Sequence, residues 1–235
     1  MNENRHLTIL SGGGSPHGPH HQPVYQLIAS EATRRGVSTH LVDYVGFGHH
    51  PDFGPGLNLP RAAEKALTEI RGRQCPDHST LLCRSFGCYV GVYLLVNNCE
   101  EMAAFSRIVL WGPLPYHAFW KLAGQNSSSI QLLNEMARDK GLFHSHDFWI
   151  TLTPIEELLK GLAGIVVSIG YGTEDQYCDK AFANYIAEII WRNTKCPVQV
   201  AEISGAGHEI RSDASDLIQA EYFALIFEPP KVEGS

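Results

Sequence analysis

Residues 81–88 read Leu81-Leu82-Cys83-Arg84-Ser85-Phe86-Gly87-Cys88, an apolar run that enters a short turn at a serine. The run before the turn is typical of a short strand buried on both faces of a sheet. The residues after it, 89–96, continue as an apolar segment that we interpret as a helix. The residue two positions after the serine must be small if the turn is tight, and Gly87 meets that demand. The pattern therefore predicts a buried strand, a tight turn with Ser85 at its tip, and a helix.

The rest of the chain alternates short apolar runs with longer segments of helical periodicity. This alternation is typical of βα units that build a parallel sheet covered by helices on both faces. We therefore expect a three-layer α/β fold with a mostly parallel sheet of about six strands. The predicted strands are Leu7–Leu10, Thr39–Val42, Thr80–Cys83, Ile108–Trp111, Ile165–Ile169 and Val198–Ile203. The predicted helices are Pro23–Arg35, Leu59–Arg71, the segment after Ser85, Asp179–Arg192 and Asp213–Phe227.

Composition and charge limit the class of protein. A chain of 235 residues with 44% hydrophobic residues can bury a core of its own, so we expect a single domain over 1–235. A formal net charge of -7 argues against nucleic-acid or anionic-membrane partners, which favour clustered lysine and arginine. No apolar run reaches the roughly 20 residues that cross a bilayer, and the first residues lack a signal-peptide pattern. We therefore expect a cytoplasmic protein.

Three polar residues, a serine, an acid and a histidine, follow three of the predicted strands in this order along the chain. Ser85 follows the third strand, Asp175 the fifth and His208 the sixth. Because the carboxyl ends of parallel strands meet at one edge of a sheet, these side chains are expected to lie close together. Serine, acid and histidine in this chain order are typical of a hydrolytic triad, in which histidine is the general base and the acid orients it. Glu174 and Asp179 are the alternatives for the acid.

The assembled turns resemble those of the α/β-hydrolase superfamily. Residues 11–15, Ser-Gly-Gly-Gly-Ser, resemble its oxyanion loop, and residues 43–48, Asp-Tyr-Val-Gly-Phe-Gly, resemble the turn after its next strand. Residues 172–175 and 205–208 resemble the turns that carry its acid and histidine. The sequence departs from the family's G-x-S-x-G pattern at Cys83, where the first glycine is usual. The resemblance implies a nucleophile elbow at Ser85.

The expected activity follows from this chemistry. Ser85 would attack an acyl carbonyl, and the oxyanion-hole donors would be the backbone N–H groups of Phe86 and of Gly13 or Gly14. The first hypothesis is an esterase or thioesterase acting on a small or medium acyl substrate through an acyl-serine intermediate. A second is a carbon–carbon hydrolase, lyase or cyclase that uses the same Ser–His pair. A third is a ligand-binding protein without turnover on the same scaffold.

A long interval without a convincing strand, about 113–161, interrupts the alternation of elements. We interpret it as a small helical lid whose aromatic residues roof an apolar pocket. Phe119, Trp120 and Phe148 are candidate substrate contacts, as is His17 in the loop after the first strand. Burial of the aromatic residues against the core is the structural alternative.

Metal and cofactor sites are not expected. The chain has 12 histidines, but the spacing of those in segments 17–21, 49–50 and 144–146 matches no recognised zinc motif. The glycine run 12–14 lacks both the P-loop lysine and the dinucleotide-binding spacing. The six cysteines include no CxxC pair, and Cys83 and Cys88 are expected to pack beneath the elbow. Arg84 is interpreted as one member of a structural pair, with a carboxylate or phosphate clamp as the alternative.

Overall fold

The computed structural model describes residues 5–12, 20, 22–43, 59–73, 75–115 and 153–229. Within them the strands are β1 His6–Leu10, β2 Ser38–Val42, β3 Ser79–Arg84, β4 Phe105–Trp111, β5 Val166–Gly172 and β6 Val198–Ile203. The helices of the described residues are α1 Pro23–Arg34, α2 Leu59–Arg71, α3 Phe86–Asn97, α4 Ile155–Leu159, α5 Lys180–Thr194 and α6 Asp216–Phe227.

The strands form one parallel sheet in the order β2-β1-β3-β4-β5-β6. β3 lies near the middle of the sheet, between β1 and β4, and most of its residues are buried. Because all the strands run in the same direction, the turns after β1, β3, β5 and β6 lie along one edge of the sheet. The predicted α/β class with a parallel sheet of about six strands is confirmed.

Helices cover both faces of the sheet. The larger hydrophobic cluster includes residues of α2, α3, α4 and α5, and the smaller one includes residues of α1 and α6. Alternate residues of β3 serve the two clusters, since Leu81 and Cys83 belong to the first and Leu82 to the second. This two-sided burial explains why the strands are continuous apolar runs rather than alternating ones.

Two helix starts differ from the predicted ones because polar side chains cap them. α5 begins at Lys180, since the side chain of Asp179 is the N-cap and accepts a hydrogen bond from the Phe182 N–H at 2.8 Å. α6 begins at Asp216 rather than Asp213, since Ser215 is its N-cap and accepts from the Ile218 N–H at 3.4 Å.

The interval predicted to be a lid is described only at its ends, because residues 116–152 lie outside the described part of the chain. Its C-terminal end contains α4, a short helix within the interval that we interpreted as helical, although the sequence patterns gave no bounds for it. Ile155 and Leu159 on α4 are fully buried in the larger cluster. The role of the interval as a lid stays a prediction.

In the described ranges, no helix combines the length and the apolar character that crossing a membrane requires.

Candidate active site

Ser85 occupies the turn between β3 and α3 with an unusual backbone conformation. Its φ and ψ are 52° and -120°, and positive φ is uncommon for a residue with a side chain. Such a conformation costs on the order of 1–3 kcal/mol and persists only where the surroundings enforce it. Here the Ser85 N–H donates to the Trp111 carbonyl at 3.0 Å, and the Ser85 carbonyl accepts from the Cys88 N–H at 3.0 Å. The turn is therefore held from both sides.

The turn fits because glycines stand where the chain passes other atoms closely. A Cβ at Gly87 would lie 2.4 Å from the Leu10 carbonyl oxygen, on the neighbouring strand β1.

A second glycine explains how Cys83 fits where the G-x-S-x-G pattern has its first glycine. A Cβ at Gly91, on α3, would lie 2.2 Å from the Cys83 sulfur, so the thiol occupies space that Gly91 leaves empty. The pair Cys83–Gly91 thus accommodates a side chain where G-x-S-x-G has glycine.

The His208 imidazole lies between Ser85 and Asp175. Its Nε2 is 3.0 Å from the Ser85 Oγ, and its Nδ1 is 2.9 Å from the Asp175 Oδ2. Both distances are within hydrogen-bonding range. The three residues come from the turns after β3, β5 and β6, as their positions at strand ends predicted, and the structure brings them together.

Asp175 is held in place by hydrogen bonds to both carboxylate oxygens. Its Oδ1 accepts from the backbone N–H groups of Tyr177 at 2.8 Å and Cys178 at 3.0 Å, which leaves Oδ2 facing His208. Burial raises the pKa of the Asp175 carboxyl, but the hydrogen bond and charge of His208 and the two backbone N–H groups outweigh that effect. The pKa therefore lies below its ordinary value of 3.8, and the group is a carboxylate at neutral pH.

The two alternatives for the acid lie elsewhere. Glu174 is exposed to solvent, and Asp179 uses its side chain to cap α5. The geometry therefore favours Asp175 as the partner of His208.

Three further residues, which the sequence patterns did not single out, contact the imidazole or its backbone. Trp111 donates its Nε1–H to the His208 carbonyl at 2.9 Å. The Tyr177 ring meets the imidazole edge to face, with ring centroids 5.1 Å apart. A Cβ at Gly112, where φ is 55°, would lie 2.9 Å from the His208 Nδ1 and 3.2 Å from the Asp175 Oδ2. No local pattern could have identified them, because each contact joins residues that are distant in the sequence.

The other predicted contact residues have different outcomes. Phe86 is the first residue of α3 and directly follows Ser85, so its N–H lies at the positive end of that helix. Gly13, Gly14, His17, Phe119, Trp120 and Phe148 lie outside the described residues. Their predicted roles stay predictions.

The residues around the elbow that were weighed as alternative chemistry are buried. Burial raises the pKa of the Cys83 and Cys88 thiols well above the ordinary value, so both are protonated at neutral pH and lack the character of a reactive thiolate. Arg84 is 4% exposed, and its guanidinium lies 5.1 Å from the centroid of the Tyr25 ring. Arg84 thus interacts with the Tyr25 side chain through both its ring and a hydrogen bond, as the interpretation of a structural pair predicts.

Among the described residues no group of three or more histidine, cysteine or acidic side chains is arranged to hold a metal ion. The site described here consists of a serine, an imidazole and a carboxylate.

The chain is similar to several solved enzyme structures. One is the monoacylglycerol lipase of Paleococcus ferrophilus, with a TM-score of 0.62 and 17% identity over 94% of this chain and 92% of that one. Another is the esterase RhEst1 from Rhodococcus sp. ECU1013, with a TM-score of 0.58 and 15% identity over 94% and 90% of the two chains. A third is a variant of the meta-cleavage product hydrolase CumD from Pseudomonas fluorescens IP01, with a TM-score of 0.59 and 14% identity over 95% and 89%.

No model of a protein family matches the sequence, and neither does any curated protein. At these identities the likeness to the solved structures is one of fold.

Proposed function

We propose that this chain, which has the α/β-hydrolase fold, is a serine hydrolase that cleaves an ester or thioester of a small or medium acyl substrate. The observation that carries the proposal is the continuous line of hydrogen bonds from the Ser85 Oγ through His208 to Asp175, at 3.0 and 2.9 Å. A serine hydroxyl is a weak nucleophile unless a base accepts its proton during attack. An imidazole hydrogen-bonded to that hydroxyl and oriented by a buried carboxylate is suited to do so.

The reaction would proceed in two halves. In the first, the Ser85 Oγ attacks the acyl carbonyl while His208 Nε2 takes its proton, and the Nδ1–H donates to Asp175, which stabilises the imidazolium. The tetrahedral intermediate collapses as the imidazolium returns the proton to the departing alcohol or thiol, leaving an acyl-serine. In the second half, water attacks the acyl-serine with the same base, and the acid is released.

The negative oxygen of the tetrahedral intermediate needs preorganised donors. We assign this role to the Phe86 N–H and to an N–H of Gly13 or Gly14. The position of Phe86 at the start of a 12-residue helix supports the first assignment. Removal of one such donor typically lowers the rate about 10²–10³-fold.

We further propose that the acyl group contacts Phe119, Trp120 and Phe148, and that His17 lines the same pocket. Aromatic side chains offer large apolar surface for an acyl chain. The negative net charge favours a neutral or cationic small molecule over a nucleic acid as partner.

The first test is intact-mass spectrometry after reaction with a fluorophosphonate probe. We expect one adduct on the wild-type protein, none on Ser85→Ala, and strongly slowed labelling of His208→Ala. Ser204→Ala is the matched control, because it removes an exposed hydroxyl from the loop that carries His208 and should label normally. Folded wild-type protein that fails to react would contradict the proposal and favour a binding role without turnover.

A panel of esters and thioesters, with product analysis in ¹⁸O-labelled water, then tests the reaction class. Hydrolysis places one solvent oxygen in the released acid, whereas a lyase or cyclase product contains none. Carbon–carbon hydrolysis also incorporates solvent oxygen, so cleavage of a vinylogous 1,5-diketone with no turnover of esters would identify that alternative.

A further inference from the structure

Tyr25 on α1 makes a buried hydrogen bond that reaches the loop after β1. Its hydroxyl oxygen accepts the backbone N–H of Gly12 at 3.0 Å, and the residue is 2% exposed. A buried N–H without a partner is costly, so this hydroxyl favours one orientation of the peptide that precedes Gly12.

The position of Gly12 matters because this residue lies against the nucleophile. A Cβ at Gly12 would lie 2.9 Å from the Ser85 Cβ and 3.6 Å from the Ser85 Oγ. It would also lie 3.3 Å from the Arg84 carbonyl oxygen. The backbone at Gly12 therefore lies at contact distance from the nucleophile, and a small shift of Gly12 changes the space that the Ser85 side chain can occupy.

The Tyr25 ring is itself fixed, so its hydroxyl is a rigid acceptor. The guanidinium of Arg84, the residue before the nucleophile, lies 5.1 Å from the ring centroid. The ring belongs to the smaller hydrophobic cluster together with Trp111 and Tyr222. Tyr25 thus connects the end of the nucleophile strand to the loop after β1 through the α1/α6 face of the sheet.

We propose that Tyr25 is a positioning residue for acyl transfer, acting through Gly12 on the placement of the Ser85 side chain. This inference rests on the proposed function. Because the attacking oxygen of Ser85 must be in place before the new bond forms, loss of the Tyr25 hydroxyl affects the transition state more than substrate binding.

The test compares Tyr25→Phe with Tyr222→Phe, using a p-nitrophenyl ester that the wild-type protein cleaves. Both substitutions remove one hydroxyl from the same buried cluster, but the Tyr222 hydroxyl has no hydrogen-bond partner among the described residues. We expect Tyr25→Phe to lower kcat about 10- to 100-fold, since misplacement of a reacting group by about 1 Å can cost about 100-fold, with KM changed less than about threefold. Tyr222→Phe should retain the wild-type kcat.

A second readout separates positioning from general loss of structure. A trifluoromethyl ketone with the same acyl chain forms an oxyanion with the nucleophile, and its Ki should rise by about the factor by which kcat falls. Ki and KM are properties of the folded molecules, so partial unfolding of a variant does not imitate this rise. Unchanged Ki and kcat with a lowered Tm would overturn the inference and show a structural role.

The same experiment distinguishes the two proposals. Turnover by the wild-type protein that disappears in Ser85→Ala supports the proposed function whatever Tyr25→Phe does. No Ser85-dependent turnover in the wild-type protein would refute the proposed function, and the inference on Tyr25 with it.

Discussion

Trp111 binds both Ser85 and His208, although His208 lies 97 positions further along the chain. Its carbonyl oxygen accepts the Ser85 N–H at 3.0 Å, and its indole Nε1–H donates to the His208 carbonyl at 2.9 Å. Trp111 is the last residue of β4, is fully buried and packs edge to face on Tyr222. Trp111 therefore holds the backbone of the proposed nucleophile through its carbonyl and the backbone of the proposed base through its indole.

Replacement of Trp111 by phenylalanine tests this relationship. Trp111→Phe keeps the carbonyl that binds Ser85 and removes only the indole donor and part of the ring. We expect kcat to fall about 10-fold because the His208 backbone loses its partner, and the free energy of unfolding to fall by about 1–3 kcal/mol. Steady-state kinetics and urea denaturation measure the two effects. The control Trp191→Phe changes an exposed tryptophan, and equal kinetic losses in both variants would contradict the prediction.

A methyl group at Gly112 should separate the imidazole from the carboxylate. The added Cβ would lie 2.9 Å from the His208 Nδ1 and 3.2 Å from the Asp175 Oδ2, so the ring must move. Displacement of about 1 Å can cost about 100-fold in rate, and we expect a loss of at least that size in kcat for Gly112→Ala. Kinetics at saturating ester give the value.

Gly164→Ala is the matched control for that variant. Gly164 also has positive φ, 67° against 55° for Gly112, but nothing lies within 4 Å of its added Cβ. Both variants carry the backbone penalty of about 1–2 kcal/mol for a left-handed residue with a side chain. Only Gly112→Ala should lose activity, and similar kcat values for the two folded variants would show that the imidazole tolerates the methyl group.

Cys83 and Gly91 should be energetically coupled. Gly91→Ala places a Cβ 2.2 Å from the Cys83 sulfur and should lower stability by about 1–3 kcal/mol, despite the better helix propensity of alanine. Cys83→Gly removes the clash, so the double variant should be more stable than the sum of the two single effects by about 0.5–3 kcal/mol. Urea denaturation of all four proteins completes the cycle, and simple additivity would disprove the coupling.

Asp175 should make the stability of the protein dependent on pH in the acidic range. The folded state holds the pKa of this carboxyl below its ordinary value of 3.8, so the stabilisation is present above that value and is lost as the pH falls through the folded pKa. The free energy of unfolding of the wild-type protein should therefore exceed that of Asp175→Asn most at about pH 6 and approach it towards about pH 3. If the two free energies of unfolding differed by the same amount over this whole pH range, folding would not lower the pKa of Asp175 and the prediction would be wrong.

Activity gives a second comparison for the same position. An asparagine cannot stabilise the imidazolium, and Asp175→Asn should lower kcat by about 10²–10⁴-fold. Asp179→Asn is the matched control, because it changes a neighbouring acid whose side chain caps α5. Asp179→Asn should lower the stability slightly and leave kcat unchanged. A large loss of kcat in this variant would show that Asp175 is not the acid that orients His208.

Much of the fold could be predicted because its signals are local. The bounds of α2 and β6 were predicted as the structure has them, and Ser85, Asp175 and His208 lie at the strand ends where the order of elements put them. Continuous apolar runs and helical periodicity result from burial on one or two faces, and they are visible in any window of about ten residues. The bounds of helix α4, which lies in the interval interpreted as a helical lid, could not be predicted, since five residues are too few for a period to repeat.

The positions of the strands along the chain, the glycine two residues after Ser85 and the three candidate catalytic residues could thus be inferred from the chain alone, because each is marked by its neighbours in sequence. The order of the strands in the sheet was not predicted. The contacts that orient those residues could not be inferred in this way. Trp111 with His208, Tyr25 with Gly12, and Gly91 with Cys83 are fitted to one another across the sheet. Their geometry is set when buried side chains pack at the density of a solid, and that packing is a property of the whole core rather than of any segment.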